Sequence, residues 1–388
     1  MPPRFALTSL MLGNFAVALA VLAPAGMILE LSRGLSVTVR DAGFLITAGA
    51  VVLCFASPIS AWLTSRFDRR LLLAASLFVL AVGHLASAFA PDYYSLLAAR
   101  VLMLAVGALY TPQAAGTAAL IVSAERRAGA ISYVFLGWSL ATAVGVPLIN
   151  LVAAKVGWRE TYAALAVLGL IATALLVIYL PRGLQGAPVS LATWGAVGRN
   201  RLIVLLLAIT AIQVSGQFAI LTYASPLLFK IAGAGTETTS LFFAIFGVSG
   251  FVGNIIATKI VPTIGAFRTS ALSLGSIFVG LLIWVLGEGT LALMGAGILV
   301  WGLGFAAANS MQQARLAAAA PELASASIAL NTSGIYVGQA VGSYLGGFLI
   351  MREMFTAMGW TAVAFLLAAL VILVFTRGAS QAVHQRGV

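Results

Sequence analysis

The sequence predicts an all-α polytopic membrane protein, with twelve transmembrane helices in two pseudo-symmetric six-helix halves. Three observations predict it. The 388-residue chain is 62% hydrophobic and 8% charged, whereas a soluble domain carries about 25% charged residues. Its apolar residues fall into repeated windows of about 20, the length that crosses a bilayer as a helix. Short patterns from the first half also recur in the same order in the second.

Counting those windows along the chain gives helices near 5–29, 42–64, 71–90, 95–121, 129–153 and 160–180. After a longer connection come 202–229, 239–262, 269–287, 290–313, 324–350 and 355–376. The first window follows Arg4 and ends near an Ala-Pro-Ala, as a signal peptide does, but its apolar run is too long for a signal h-region. It reads as a retained span. The stretch PRGLQGAPVSLATWGAVGRNR at 181–201 is the longest weakly hydrophobic connection, with six spans on each side. Its Pro and Gly content marks a cytoplasmic linker between halves 1–180 and 202–388.

Loop charges orient the bundle. An even span number puts both termini on one side. That side holds Arg4, Arg66, Arg69, Arg70, Arg126, Arg127, Arg182, Arg199, Arg201, Lys259, Arg268, Arg315, Arg377 and Arg386. The other side holds six basic residues, and Arg100 lies within the fourth span. The positive-inside rule then makes both termini cytoplasmic. Because the basic residues are spread over short loops rather than one face, the net charge of +11 is no nucleic-acid footprint. One cysteine and two histidines exclude an intrachain disulfide and a His/Cys metal cluster. No GxxxxGK[ST], HExxH or GxSxG motif occurs, which argues against a self-contained ATP pump and a membrane-embedded hydrolase.

The fifth span carries GWSLATAVGVP at 137–147. Gly137, Ala141 and Gly145 recur every four residues and form one small face for close helix approach. Pro147 then removes a backbone donor and bends the helix. The eleventh span repeats the small face with Gly334, Gly338, Gly342 and Gly346. Each is followed by a Gly-Trp, at 157–158 and 359–360. The first and seventh spans also match: NFAV at 14–17 with Pro24 downstream, and QFAI at 217–220 with Pro226 downstream. Two copies of a close-packed helix point to a duplicated carrier whose halves move against each other.

On these residues the chain resembles the major facilitator superfamily, and within it the twelve-helix drug:proton antiporter group. The nearest branch is bacterial sugar, nucleoside and chloramphenicol efflux. Residues 137–147 are similar to the antiporter signature of helix 5, which in that family goes with export. Arg100 matches the family's helix 4 arginine, and GQFAILTYASP at 216–226 is typical of the branch's helix 7. The stretch AWLTSRFDRR at 61–70 sits where the helix 2–3 loop signature belongs. It departs from the pattern: Ala61 and Asp68 replace glycines, and Ser65 replaces the aspartate that latches the cytoplasmic side. Arg66, Arg69 and Arg70 are left to anchor to anionic lipid or a helix end.

The resemblance implies a bacterial inner-membrane secondary transporter, not an enzyme, that exports a small neutral or amphiphilic solute by rocker-switch alternating access. It would use the proton gradient and no cofactor or metal, and would act as a monomer on a small-molecule substrate without nucleic acid. A solute importer or an uncoupled facilitator of the same fold is the alternative. Candidate cavity residues are Asn14, Tyr110, Gln113, Gln213, Gln217, Tyr223, Asn309, Gln312, Asn331, Tyr336 and Gln339. They are uncharged hydrogen-bonding or phenolic groups on the helices that line the family's cavity, and each is equally suited to bonding between helices. Proton-coupling candidates are Arg100, whose burial costs at least ~2.5 kcal/mol if unpaired, and the outer-end acids Glu30 and Asp41. Arg100 is expected either to reach the outer interface or to pair with an acid or a helix 1 carbonyl. His84 is expected to be a hydrogen-bonded packing residue.

Overall fold

The computed structural model describes residues 3–64, 67–123, 126–185, 191–320 and 323–377. The chain divides into two compact units, Met1–Val189 and Ser190–Val388. Unit 1 contains α1 (Pro3–Gly26), α2 (Ile28–Gly34), α3 (Val39–Leu63), α4 (Arg69–Ala88), α5 (Tyr93–Gly107), α6 (Tyr110–Leu120), α7 (Arg127–Leu140), α8 (Val146–Lys155) and α9 (Trp158–Tyr179). Unit 2 contains α10 (Leu191–Arg199), α11 (Arg201–Leu221), α12 (Ala224–Ala232), α13 (Thr236–Leu286), α14 (Leu291–Ala319), α15 (Ala324–Met351) and α16 (Phe355–Phe375).

Among the described residues, eleven helical stretches are long and apolar enough to cross a membrane. One of them, α13, has 51 residues. At about 1.5 Å per residue it is more than twice as long as the ~30 Å hydrocarbon core. It breaks at Gly265, whose φ of 82° only glycine adopts without strain, so it supplies two spans and the total is twelve. The stretches Tyr93–Leu120 and Gly129–Lys155 each make one span from two helices, α5 with α6 and α7 with α8. Large apolar side chains such as Phe55, Leu102, Leu241 and Phe375 face outward, as lipid contact requires.

Three local features differ from the sequence expectation. The linker is not featureless, because α10 forms within it and packs on α11 and α15. Asn200 then caps α11, its side-chain oxygen accepting from Leu202 N at 3.1 Å and Ile203 N at 3.2 Å. The first span does not end at Pro24. It runs through that proline and breaks at Met27, whereas its counterpart breaks at Tyr223, before Pro226. A proline near the start of a helix removes no needed bond, so Pro226 sits comfortably in the first turn of α12. The bend expected at Pro147 takes the form of a π-turn at Ala141–Gly145, after which Pro147 opens α8. The register slips to i→i+5 where the proline has no N–H to give.

Candidate functional site

Each unit contains a helix pair held at backbone contact through small residues four apart. In unit 1, a side chain on Gly137 would meet the carbonyl of Met11 and the amide of Phe15, and one on Gly145 would meet Leu19. Ala141 between them is fully buried. In unit 2, Gly334, Gly338, Gly342 and Gly346 of α15 lie over the carbonyls of Leu207, Ala211, Ser215 and Ala219 of α11. The partners advance four residues at a time on both helices, so the two run parallel and in register. The small-residue faces read from sequence are therefore the contact faces.

Unit 1 buries a cation among these helices. Arg100 is 1% exposed and donates from Nη1 and Nη2 to the carbonyl of Ala20 on α1, both at 3.3 Å. Of the sequence alternatives, the helix 1 carbonyl is the partner seen. Its Nε has no partner among the described residues. The guanidinium charge reaches His84 and Tyr162. Those two rings stack at 5.8 Å, and Tyr162 sits edge-on to Trp158. His84 is buried as expected, but by stacking: its Nδ1 has no hydrogen-bond partner among the described residues.

The other candidates of unit 1 bond between helices. Asn14 is fully buried, donating to Val134 O at 3.0 Å and accepting from Thr111 Oγ1 at 2.7 Å. It ties α1 to α6 and α7. Tyr110 donates to Leu10 O at 3.2 Å, and Gln113 to Thr64 Oγ1 at 3.4 Å. Asn150, which sequence reasoning passed over, donates to Gly26 O at 2.8 Å and joins α8 to the end of α1.

Unit 2 assembles the larger polar cluster. Trp301 Nε1 donates to Gln217 Oε1 at 2.7 Å, and Gln217 Nε2 donates to both the side-chain and main-chain oxygens of Gln213. Gln213 Nε2 in turn donates to Asn309 Oδ1 at 3.2 Å. On α15, Asn331 Oδ1 accepts from Thr210 at 2.6 Å, while Asn331 Nδ2, Gln339 Nε2 and Ser333 Oγ are buried without partners among the described residues. Tyr336 is buried. Tyr223 donates to Ser343 O at 3.0 Å, which braces the break in span seven against α15. Gln312 donates to Leu206 O at 2.9 Å and accepts from Ser270 and Arg315.

Arg315 corrects the sequence reading. Counted among the loop charges, it is instead buried at the end of α14, over the Phe267 ring and bonded to Gln312 and Thr376. No periodic signal marks such a residue, because it lies within a turn of the helix end. Trp301 was also missed, since an apolar run gives no hint that one indole N–H has a polar partner.

The acids lie at the ends of spans. Asp41 is spent on a cap: its N–H donates to Thr38 Oγ1 at 3.1 Å, and Thr38 Oγ1 donates to its carboxylate at 2.7 Å. It does not reach inward. Glu30 lies in α2, where burial raises its carboxyl above the ordinary range against a smaller lowering by a backbone hydrogen bond and by Arg33. Asp68 N-caps α4 through Leu71 N at 3.0 Å and also accepts from Gly183 N. Arg69 N donates to Leu184 O at 2.9 Å, so the loop holds the segment that leaves α9. Partial burial pulls the Asp68 carboxyl up, but the N–H groups of Leu71, Gly183 and Arg70 and the Arg70 charge hold it below the ordinary range. Arg66 and Ser65 lie outside the described residues. Arg69 is buried with Nε and Nη1 unpartnered among the described residues, and Arg70 is half-buried.

The family model described as Major Facilitator Superfamily matches residues 10–332. The chain belongs to the major facilitator superfamily. It is a multi-pass membrane transporter rather than an enzyme. The chain is 29% identical over 351 residues to "Inner membrane transport protein YdhP" of Escherichia coli K12, covering 89% of each chain. It is 23% identical to a "Probable sugar efflux transporter" of Haemophilus influenzae Rd, covering 91% of this chain and 89% of that one. In fold it is similar to a crystal structure of a D-xylose-proton symporter, at TM-score 0.76 and 16% identity, covering 95% and 97%.

Proposed function

We propose that the protein is an inner-membrane, proton-coupled exporter of a small neutral solute, of the sugar or nucleoside class, with both termini cytoplasmic. The observation that carries the solute class is the uncharged amide cluster of unit 2. Trp301, Gln217, Gln213 and Asn309 form one chain, and Gln339 and Asn331 add two buried amide nitrogens without partners among the described residues. Groups of this kind, too costly to bury unpaired, suit a neutral ligand with several hydrogen-bonding positions. A strongly cationic drug would find no carboxylate there. The names of the inner-membrane and sugar efflux relatives support the same reading.

Direction rests on the stretch at 137–147. Coupling is proposed to pass through Arg100, a fully buried cation of unit 1, whose partner on α1 is a neutral carbonyl. An uncoupled facilitator is the second reading. It is favoured by the placement of the acids, since Asp41 caps a helix and Glu30 lies in the short α2.

Proteoliposomes with a trapped pH-sensitive dye separate the two. Neutral sugars, nucleosides and phenicols are added one at a time while proton and solute movements are recorded. Counterflow of protons establishes antiport, and co-directional flow establishes symport. Solute movement without protons establishes the facilitator. Under the coupled reading, Arg100→Ala keeps the protein in the membrane and abolishes the pH dependence of transport. An unchanged pH profile would remove Arg100 from the mechanism.

A further inference from the structure

We infer that Trp301 is a positioning residue that fixes the polarity of the unit 2 amide chain, so that the solute is selected for oxygen acceptors. The argument begins with an asymmetry of donors. An amide side chain can present either its oxygen or its nitrogen to a neighbour, whereas an indole N–H can only donate. Trp301 Nε1 lies 2.7 Å from Gln217, so the end of Gln217 facing it must be the oxygen. The nitrogen of Gln217 then faces Gln213, which must answer with oxygen. Gln213 is left with nitrogen for Asn309, whose oxygen accepts at 3.2 Å. Turning over any one amide would set donor against donor or oxygen against oxygen. The direction of the whole chain follows from one ring.

That ring is itself held. Trp301 is fully buried, edge-on to Phe246 at 5.3 Å and to Trp284 at 6.4 Å. A side chain on Gly280 would collide with its main chain, so α13 packs directly against it.

Linked in this direction, each amide oxygen accepts from the N–H before it and the chain ends on a donor, the Asn309 amide nitrogen. Gln217 uses both its protons on Gln213. Gln213 and Asn309 each keep one proton without a partner among the described residues, and Asn309 is the half-buried end of the chain. The amide nitrogens of Asn331 and Gln339, without partners among the described residues, are of the same kind. The ligand class is a neutral molecule that offers hydroxyl, ether or carbonyl oxygens as acceptors. This rests on the proposal that the unit 2 amides meet the solute, and the experiment has two arms so that the two ideas fail separately.

The first arm needs no solute. The full-length protein, ¹⁵N-labelled at tryptophan indoles and side-chain amides, is placed in lipid nanodiscs. The Trp301 indole line is identified by its loss in Trp301→Phe. It is expected to exchange slowly with D₂O and to move in Gln217→Leu and in Asn309→Leu. A line that stays in place in both variants overturns the inference. The second arm measures transport of L-arabinose and its monodeoxy analogues in proteoliposomes. Loss of polarity in Trp301→Phe should raise KM for arabinose about tenfold, a hydrogen bond's worth, with a smaller change in kcat. The preference for arabinose over the deoxy analogue that loses the recognised oxygen should flatten with it. An unchanged preference overturns the specificity role. If Trp301→Phe does not fold, Gln217→Leu makes the same comparison with the indole intact. If wild type carries neither arabinose nor any other neutral sugar or nucleoside while the indole line responds as expected, the solute class fails and the polarity stands.

Discussion

Gly137 faces main-chain atoms of α1, so no rotamer change on the neighbour can make room for a side chain there. Gly137→Val should cost about 1–3 kcal/mol, the range for overpacking, read as a lower midpoint in detergent thermal unfolding. Gly145 meets only the flexible end of Leu19, so Gly145→Val should cost less. A midpoint loss as large as that of Gly137→Val would contradict this ordering. Glu30 gives a pH prediction. Burial raises its carboxyl, so the ionised form is penalised in the folded state. That penalty is absent at low pH and appears as pH rises from about 4.5 through the raised value. Glu30→Gln should therefore be more stable than wild type at pH 8 and no more stable at pH 4. Equal gains at both pH values would mean that ionisation of Glu30 is not the cause. These residues differ in how far sequence exposed them. A glycine every four residues announces a contact face by itself. Arg315 and Trp301 do not, because their partners come from elements remote in the chain.

At the scale of elements, Asp68 joins three pieces of chain: the loop after α3, the start of α4 and the segment after α9. Its carboxyl is depressed, so the clasp is fully present above the ordinary carboxylate pKa of about 3.9 and weakens as pH falls below it. Asp68→Asn, or wild type at acid pH, should be cut faster by a protease acting between residues 182 and 201. Equal cutting rates for Asp68→Asn and wild type at neutral pH would show that the clasp does not hold the linker. Pro147→Ala restores the missing N–H and should let the π-turn at 141–145 relax to regular α-helix. Transport should fall while membrane insertion is kept, and wild-type rates would count against a role for the turn. The spans themselves were legible because about 20 apolar residues in a row have few soluble alternatives. The break at Met27 and helix α10 were not. A break depends on which tertiary contacts flank it, and a short amphipathic helix in a linker looks like loop composition until something covers its apolar face.

At the scale of the whole chain, the duplication seen as scattered echoes is a repeated packing device. The first span of each half lies parallel to the fifth, at main-chain contact, through small residues four apart. This repetition was readable because it uses glycine. The polar contents of the two units diverge, with Arg100 bonded to a helix carbonyl in one and an indole-led amide chain in the other, and the echo of Asn14 with Gln217 did not foretell it. The long helix α13 carries one more consequence. Only one residue of non-helical backbone, Gly265, separates its two spans. During biosynthesis the first of these spans has no loop in which to wait for the second. The pair is expected to enter the lipid together, as a hairpin closed at Gly265. A glycine that turns without strain would then govern the timing of insertion as well as the final shape, and an L-residue at 265 should show itself first as inverted or retained chains on the ribosome-bound translocon.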